Sequence, residues 1–166
     1  MDLILSILKW LVIAIVVLAM VAVLAGQLGV LQGQPKGRLG VHDGKLAPPA
    51  TTPNSVSSQA DLWPNAPRRE QARIAPLPMK GNAAQTLVKL KSIIEATPGA
   101  VVIESRSDYL YAQFTTRLMK YVDDVEFWVD PSAGVVQVRS ASRIGQRDFD
   151  ANRTRIEAIR AQLAGG

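Results

Sequence analysis

A long uncharged stretch near the N-terminus, from Trp10 to Leu31, most restricts what this chain can fold into. Valine, leucine, isoleucine and alanine dominate it, and as a helix it would be about 33 Å long. That length is enough to cross the apolar core of a bilayer. We therefore predict a transmembrane helix within residues 1–33, with a separate domain after it.

A cleaved signal peptide is the alternative, because Val23, Leu24 and Ala25 include small residues of the kind that a signal peptidase accepts. The apolar stretch continues beyond this point, however, and the apolar region of a signal peptide is usually only about 7 to 15 residues long. We favour an uncleaved membrane anchor.

The basic residues around the stretch bear on its orientation. Lys36, Arg38 and Lys45 follow it and only Lys9 precedes it, and such residues tend to stay in the cytoplasm. A very short N-terminal tail before one early span favours the opposite orientation, and long domains cross largely regardless of charge. We predict a single-pass bacterial inner-membrane protein with a periplasmic domain, and a cytoplasmic domain is the alternative.

The rest of the 166-residue chain has room for one domain and holds all of its formal net charge of +5, because Asp2 and Lys9 cancel. A basic domain beside a membrane could attract anionic partners, lipid headgroups as readily as nucleic acid, but we favour the simpler interpretation of a solvated surface. The chain has no cysteine, which excludes disulfides, thiolate nucleophiles and thiolate metal sites.

Eight of the chain's ten prolines lie between residues 32 and 78, which excludes a continuous helix or a central strand there. We predict a flexible linker over residues 34–50. Residues 51–80 contain enough apolar side chains, including Val56, Trp63 and Leu77, to pack as an extended arm of the domain. The predicted domain is therefore a single unit over residues 51–166.

Two helices are predicted from apolar residues at helical spacing. The first covers Ala83 to Ala96, with Asn82 as its cap, and the second covers residues 150–163, with Asp148 or Asp150 as its cap. The buried stripes of the two helices are predicted to consist of Ala83, Leu87, Leu90 and Ile94, and of Asn152, Ile156, Ile159 and Leu163.

Between the helices, apolar and polar residues alternate with the period of a strand, which predicts two hairpins. The first folds Ala100–Arg106 onto Tyr109–Thr116. Its predicted pairs are Val101 with Phe114, Val102 with Gln113, Ile103 with Ala112, Glu104 with Tyr111, Ser105 with Leu110 and Arg106 with Tyr109.

The second hairpin folds Asp124–Asp130 onto Val135–Ser142 through a turn at Pro131–Gly134. Its predicted pairs are Phe127 with Val138, Val129 with Val136 and Glu126 with Arg139. Two hairpins that each have one apolar face predict an α+β fold with a four-stranded antiparallel sheet, covered on one face by two helices.

Three motifs stand in this part of the chain: VDDVEF from Val122, VRSASR from Val138 and NRTRIEAIR from Asn152. In this order they resemble the domain of unknown function 1499 family, and the resemblance covers residues 46–163. Members often carry two cysteines in a PCPxSPNCVSS segment, where this chain has Pro49 and Ser55. The resemblance implies no function.

The motifs supply the candidate ligand-binding site. Its predicted residues are Asp123, Asp124, Glu126, Arg139, Arg143, Arg147, Asn152 and Arg153. Arginine binds carboxylates and phosphates bidentately, and three of these arginines lie near a helix N-terminus, where an anion is favoured. The rings of Tyr109, Tyr111 and Trp128 fall on the same polar face, and we expect them to pack under residues 51–80.

Catalysis is the weaker hypothesis. Paired carboxylates could perform acid and base chemistry, but a cross-strand ion pair accounts for Glu126 and Arg139 without a substrate. The only histidine, His42, precedes the domain, so a Ser-His-Asp triad is not expected.

We predict a non-catalytic envelope protein, without metal or cofactor, that binds an anionic small molecule, a lipid or an envelope protein. The alternative is a hydrolase that uses Asp123, Asp124 or Glu126. No nucleic-acid partner is expected, because no recognition motif for one is present.

Overall fold

The structure, a computed structural model, describes residues 2–165 as an N-terminal helix followed by an α+β domain. The elements are α1 (Asp2–Gln27), β1 (Ser55–Ser57), a 3-10 turn (Ala60–Leu62), α2 (Arg69–Ala72), β2 (Leu77–Pro78), α3 (Ala83–Glu95), β3 (Ala100–Ser105), β4 (Tyr109–Thr115), β5 (Val122–Asp130), β6 (Val135–Ser142) and α4 (Ala151–Ala164).

The sheet is antiparallel and has six strands in the order β1-β6-β5-β4-β3, with β2 also paired to β6. The prediction of four strands was wrong in this detail. The two additional strands come from the arm and are only three and two residues long. Strands this short show no alternation that a sequence pattern can reveal.

The predicted register of the β5–β6 hairpin is confirmed: Glu126 pairs with Arg139, Phe127 with Val138 and Val129 with Val136. Successive side chains point to opposite faces of a strand. Phe127 and Val129 therefore join the apolar core, while Glu126 points to the other face.

The register of the β3–β4 hairpin was predicted correctly only near its turn, where Glu104 pairs with Tyr111 and Ser105 with Leu110. The pairing shifts between Val102 and Glu104, which is a β-bulge. Beyond the bulge the predicted pairs were wrong: Val102 pairs with Ala112, Ala100 with Phe114 and Val101 with Gln113.

As a result, Ala100 and Val102 contact the core, whereas Val101 and Ile103 are exposed. One extra residue in the strand moves the side chains beyond the bulge to the face opposite the predicted one.

Both helices pack on one face of the sheet, and their predicted positions are confirmed. Asn82 caps α3 in a capping box with Gln85. Asp150 occupies the cap position of α4, but the carboxylate of Asp148 accepts the N–H of Asn152 instead, at 3.1 Å. The predicted stripes are buried except at Ala83, which is partly exposed.

The opposite face of the sheet is covered by residues 34–50, which the sequence predicts as a flexible linker. Leu46 is fully buried against the rings of Tyr109, Tyr111 and Trp128. We expected residues 51–80 to cover these rings, and this expectation was wrong. Their cover comes from the segment that follows α1.

Helix α1 is long and apolar enough to cross a membrane, and a signal sequence would meet the same criteria. It ends at Gln27, earlier than the uncharged stretch, and a turn follows it. Gln27 donates a hydrogen bond of 2.8 Å to the carbonyl of Leu118, in the loop between β4 and β5. The end of α1 is thus in contact with the domain.

Candidate functional site

Each of the three carboxylates at the start of β5 is paired with a different arginine. Asp123 contacts Arg155 at 2.5 Å, Asp124 contacts Arg143 at 2.8 Å and Glu126 contacts Arg139 at 3.4 Å. Because side chains alternate along the strand, Asp123 faces α4 while Asp124 and Glu126 face the opposite side. The predicted carboxylates therefore belong to two different faces.

The pair between Glu126 and Arg139 is completely enclosed, with side chains 0% and 1% exposed. One carboxylate oxygen of Glu126 accepts hydrogen bonds of 2.8 Å from the Gly40 N–H and from the Tyr109 hydroxyl. Arg139 donates to the carbonyls of Lys36 at 2.6 Å and Pro48 at 3.2 Å. Residues 34–50 thus supply partners to both members of the pair.

Burial sets the pKa values of this pair. It raises the pKa of Glu126, against the opposing effects of the Arg139 charge and of the Gly40 and Tyr109 donors. It also lowers the pKa of Arg139, against the charge of Glu126. The pKa of Tyr109 is raised, first by burial and then by the Glu126 charge, so its hydroxyl stays a donor.

Asp124 lies in a second cluster on the same face. Its carboxylate accepts from both Nε and Nη2 of Arg143 and from the Tyr111 hydroxyl, the last at 2.6 Å. The hydrogen bond to Asp124 raises the pKa of Arg143. Burial, followed by the same carboxylate, raises the pKa of Tyr111. The Tyr111 hydroxyl also accepts a hydrogen bond of 2.8 Å from Gln113.

Asn152, at the start of α4, connects the helix to the other face of the sheet. Its side-chain nitrogen lies 3.0 Å from the carbonyl oxygen of Asn54, 2.9 Å from Ser142 Oγ and 2.7 Å from Asp148 Oδ2, and these three acceptors share its two hydrogens. Its oxygen accepts from Ser140 and, at 2.7 Å, from Arg155. A fully buried amide with all these partners is a structural connector.

Two other arginines of α4 hold the arm. Arg153 donates two hydrogen bonds of 2.9 Å to backbone carbonyls within residues 71–73. Arg160 donates bonds of 2.6 and 2.7 Å to carbonyls within residues 75–76. These guanidinium groups, like those of Arg139, Arg143 and Arg155, already bind other parts of the domain.

Arg147 differs from the other arginines of the predicted site. Within residues 2–165 its side chain makes neither an ion pair nor a hydrogen bond. It lies on the wall of a cavity of about 370 Å³ near the first residues of β5 and α4. The cavity is lined by Thr116, Tyr121, Asp123, Ser142, Ile144, Gly145, Arg147, Asp148, Phe149 and Ala151.

The walls of this cavity combine rings and aliphatic groups with a few charges. Asp123 is already neutralised by Arg155, and Asp148 accepts from Asn152. Phe149 is 93% exposed, and its φ of 51° lies in the left-handed region that non-glycine residues rarely adopt. Phe149 therefore presents its ring to solvent at the edge of the cavity.

Sequence reasoning identified Arg147, Asp123 and Asp148 among the polar residues but missed the apolar members of the cavity. These come from loops 116–121 and 143–150, which have no periodic pattern, and from the first residue of α4. The only available signal was the position of Arg147 close to the start of a predicted helix. No cluster of histidine, aspartate and glutamate able to hold a metal is present in residues 2–165.

Comparison with protein families adds one finding. The model of a family described as "Protein of unknown function (DUF1499)" matches residues 45–163, which is most of the chain. The protein belongs to the DUF1499 family. No curated protein and no solved structure matches the chain.

In this DUF1499 protein, the three motifs that carried the resemblance bind one another. The carboxylates of VDDVEF pair with arginines from VRSASR and from the α4 motif. Near the start of the matched region, the hydroxyl of Ser55 accepts the N–H of Ala50 at 2.9 Å.

Proposed function

We propose that this DUF1499 protein is a single-pass, membrane-anchored binding module of the cell envelope, with its domain in the periplasm. Its ligand is an amphiphile with an anionic head group, held in the cavity beside Arg147. The observation that carries the proposal is a cavity close to the end of α1 that combines apolar walls with Arg147, whose side chain has no partner among residues 2–165.

The paired state of the carboxylates supports a non-catalytic role. A general acid or base needs a carboxylate that can exchange a proton with a substrate. Glu126 is completely buried, Asp124 is enclosed by Arg143 and Tyr111, and Asp123 is bound to Arg155. Asp123 and Asp124 also face opposite sides of the sheet, so they cannot flank one bond.

The composition of the cavity supports an amphiphilic ligand. Ligand cavities in proteins are usually about 300 to 1,000 Å³ and mostly apolar, with a few polar groups that fix orientation. Tyr121, Ile144 and Phe149 supply the apolar surface here, and Arg147 supplies a fork of donors suited to a phosphate or carboxylate. The cavity is large enough for a head group and the adjoining part of an acyl chain.

Native mass spectrometry of the full-length protein, purified in detergent from membranes, tests this proposal. We expect an anionic lipid to copurify with the wild type. Arg147→Ala removes the charged anchor and Ala151→Phe fills the cavity, so each should reduce the bound fraction at least tenfold. Arg106→Ala is the matched control, because Arg106 lies in the turn between β3 and β4, away from the cavity.

The outcome that would contradict the proposal is equal lipid occupancy in all four proteins, which would indicate unspecific detergent-resistant lipid. A folded wild type without any bound lipid would contradict it as well. Folding of each variant is checked by circular dichroism before the comparison.

A further inference from the structure

Exposed apolar side chains from three separate segments gather around the end of α1. Leu28, in the turn after the helix, is 80% exposed, and Phe149, before α4, is 93% exposed. We call this set the junction surface. Its apolar members are Leu28, Val30, Leu118, Tyr121 and Phe149.

Close backbone contacts hold the junction surface to the end of the span. A Cβ on Gly26 would lie 2.6 Å from the carbonyl oxygen of Met119, so only glycine allows this approach. A Cβ on Gly33 would lie 2.5 Å from Cγ2 of Ile144. Loops 116–121 and 143–149 therefore lie directly against the chain where it leaves α1.

Basic side chains border the same apolar residues. Arg117 and Lys120 belong to the loop that contacts Gln27, and Arg147 lies two residues before Phe149. In the described part of the chain, none of these three takes part in an ion pair. Aromatic residues and free basic residues together are typical of the membrane interface, where rings enter the head-group region and cations meet anionic lipids.

We infer that the junction surface lies on the bilayer, with its apolar side chains at head-group depth and its basic residues against anionic lipids. This inference rests on the anchoring part of the proposed function but not on a ligand in the cavity. It gives the domain a fixed orientation. Strand β5 starts at the membrane and carries the Pro131–Gly134 turn up to about 27 Å away from it.

The absence of cysteine allows each position to be tested with a single nitroxide spin label on the full-length chain. The protein is reconstituted into vesicles of zwitterionic and anionic phospholipid. Leu118→Cys and Phe149→Cys report the junction surface, and Val16→Cys reports the middle of α1. Ala133→Cys, at the exposed turn between β5 and β6, is the matched distant control.

We expect labels at 118 and 149 to collide several-fold less often with a water-soluble nickel reagent than the label at 133. They should collide more often with oxygen, which concentrates in the bilayer. In neutral vesicles, or with Arg117→Gln and Lys120→Gln together, both labels should become more accessible to nickel.

Two results would overturn the inference and are distinguishable. If 118 and 149 are as accessible to nickel as 133 while 16 is protected, the anchor stands and the docking fails. If 16 is accessible as well, the anchoring part of the proposed function fails together with it. Lipid in the cavity is measured separately by native mass spectrometry, so its absence would not affect this test.

Discussion

The two faces of the sheet are both buried but are built from different chemistry. The helix face carries Val125, Phe127 and Val129 in an apolar core under α3 and α4, and its buried polar groups, Asp123 and Asn152 with their partners, lie at one end of it. The segment face, covered by residues 34–50, carries Glu126 and Arg139 among aromatic rings. Adjacent residues of the same strand thus point into an apolar core on one side and toward a buried ion pair on the other.

The difference determines how each face tolerates change. An apolar face is stabilised by area and volume, so side chains of similar size can replace one another at small cost. A polar buried face is stable only when every donor, acceptor and charge has its partner. The segment face therefore depends on specific pairs, and the apolar core of the helix face depends on packing.

Removal of one member of the buried ion pair should have the largest effect. Arg139→Met leaves the Glu126 carboxylate without its cation, and we expect a loss of about 3–5 kcal/mol in the free energy of unfolding. Urea unfolding of the full-length protein in detergent, followed by tryptophan fluorescence, measures it.

A double variant is the control for this prediction. Arg139→Met with Glu126→Leu removes both charges, so it should recover most of the lost stability. A double variant less stable than Arg139→Met alone would show that the hydrogen bonds to residues 34–50 matter more than the charge pairing.

The helix face is tested with Leu110, which lies between Tyr109 and Tyr111 on β4 and is fully buried. Leu110→Ala should cost about 3 kcal/mol through lost burial and a cavity, whereas Leu110→Met should cost less than about 1.5 kcal/mol. The same urea unfolding experiment applies. Equal losses in the two variants would mean that this face is as specific as the other.

Asp130, at the end of β5 on the segment face, provides a pH test. Burial opposes ionisation, but hydrogen bonds from Ser132, Gln137 and Ala133 together lower its pKa. Its contribution to stability is therefore present above the unfolded pKa of about 4 and is lost as the pH falls through the folded pKa.

We expect Asp130→Asn to cost about 1 kcal/mol at pH 7 and progressively less below pH 4, as measured by unfolding at several pH values. A difference that stays constant down to pH 2 would refute the assignment of this effect to the carboxylate charge.

The bulge in β3 predicts the smallest difference. Val102 contacts the core and Val101 is exposed, so Val102→Thr should cost about 1 kcal/mol and Val101→Thr less than about 0.5 kcal/mol. Thermal unfolding midpoints of the two variants compare them directly. A larger loss for Val101→Thr than for Val102→Thr would support the register predicted from the sequence.

The helix face was predictable because periodicity reports burial against a regular partner. The stripes of α3 and α4 and the pairing of Phe127 with Val138 follow from this rule. The bulge at Ile103 interrupts the pairing without leaving a mark in the alternation, so Val101 and Ile103 appeared as core residues.

The segment face and the cavity could be predicted only in part. The pairing of Glu126 with Arg139 follows from strand register. The cover over them uses backbone groups of Lys36, Gly40 and Pro48, and backbone groups leave no trace in a pattern of side chains. The cavity at Arg147 was not predicted because loops that are distant in sequence form its walls, and such loops have no periodic pattern.

The bond from Arg139 to the carbonyl of Lys36 joins residues 103 positions apart. The first residues after α1 to leave the ribosome are therefore among the last to reach their final contacts, since β6 is made about a hundred residues later. Contacts of such long sequence separation slow folding, because the entropy cost of closing the loop comes before the favourable energy of the contact. Until β6 has formed, residues 34–50 lack the surface that they cover in the folded domain.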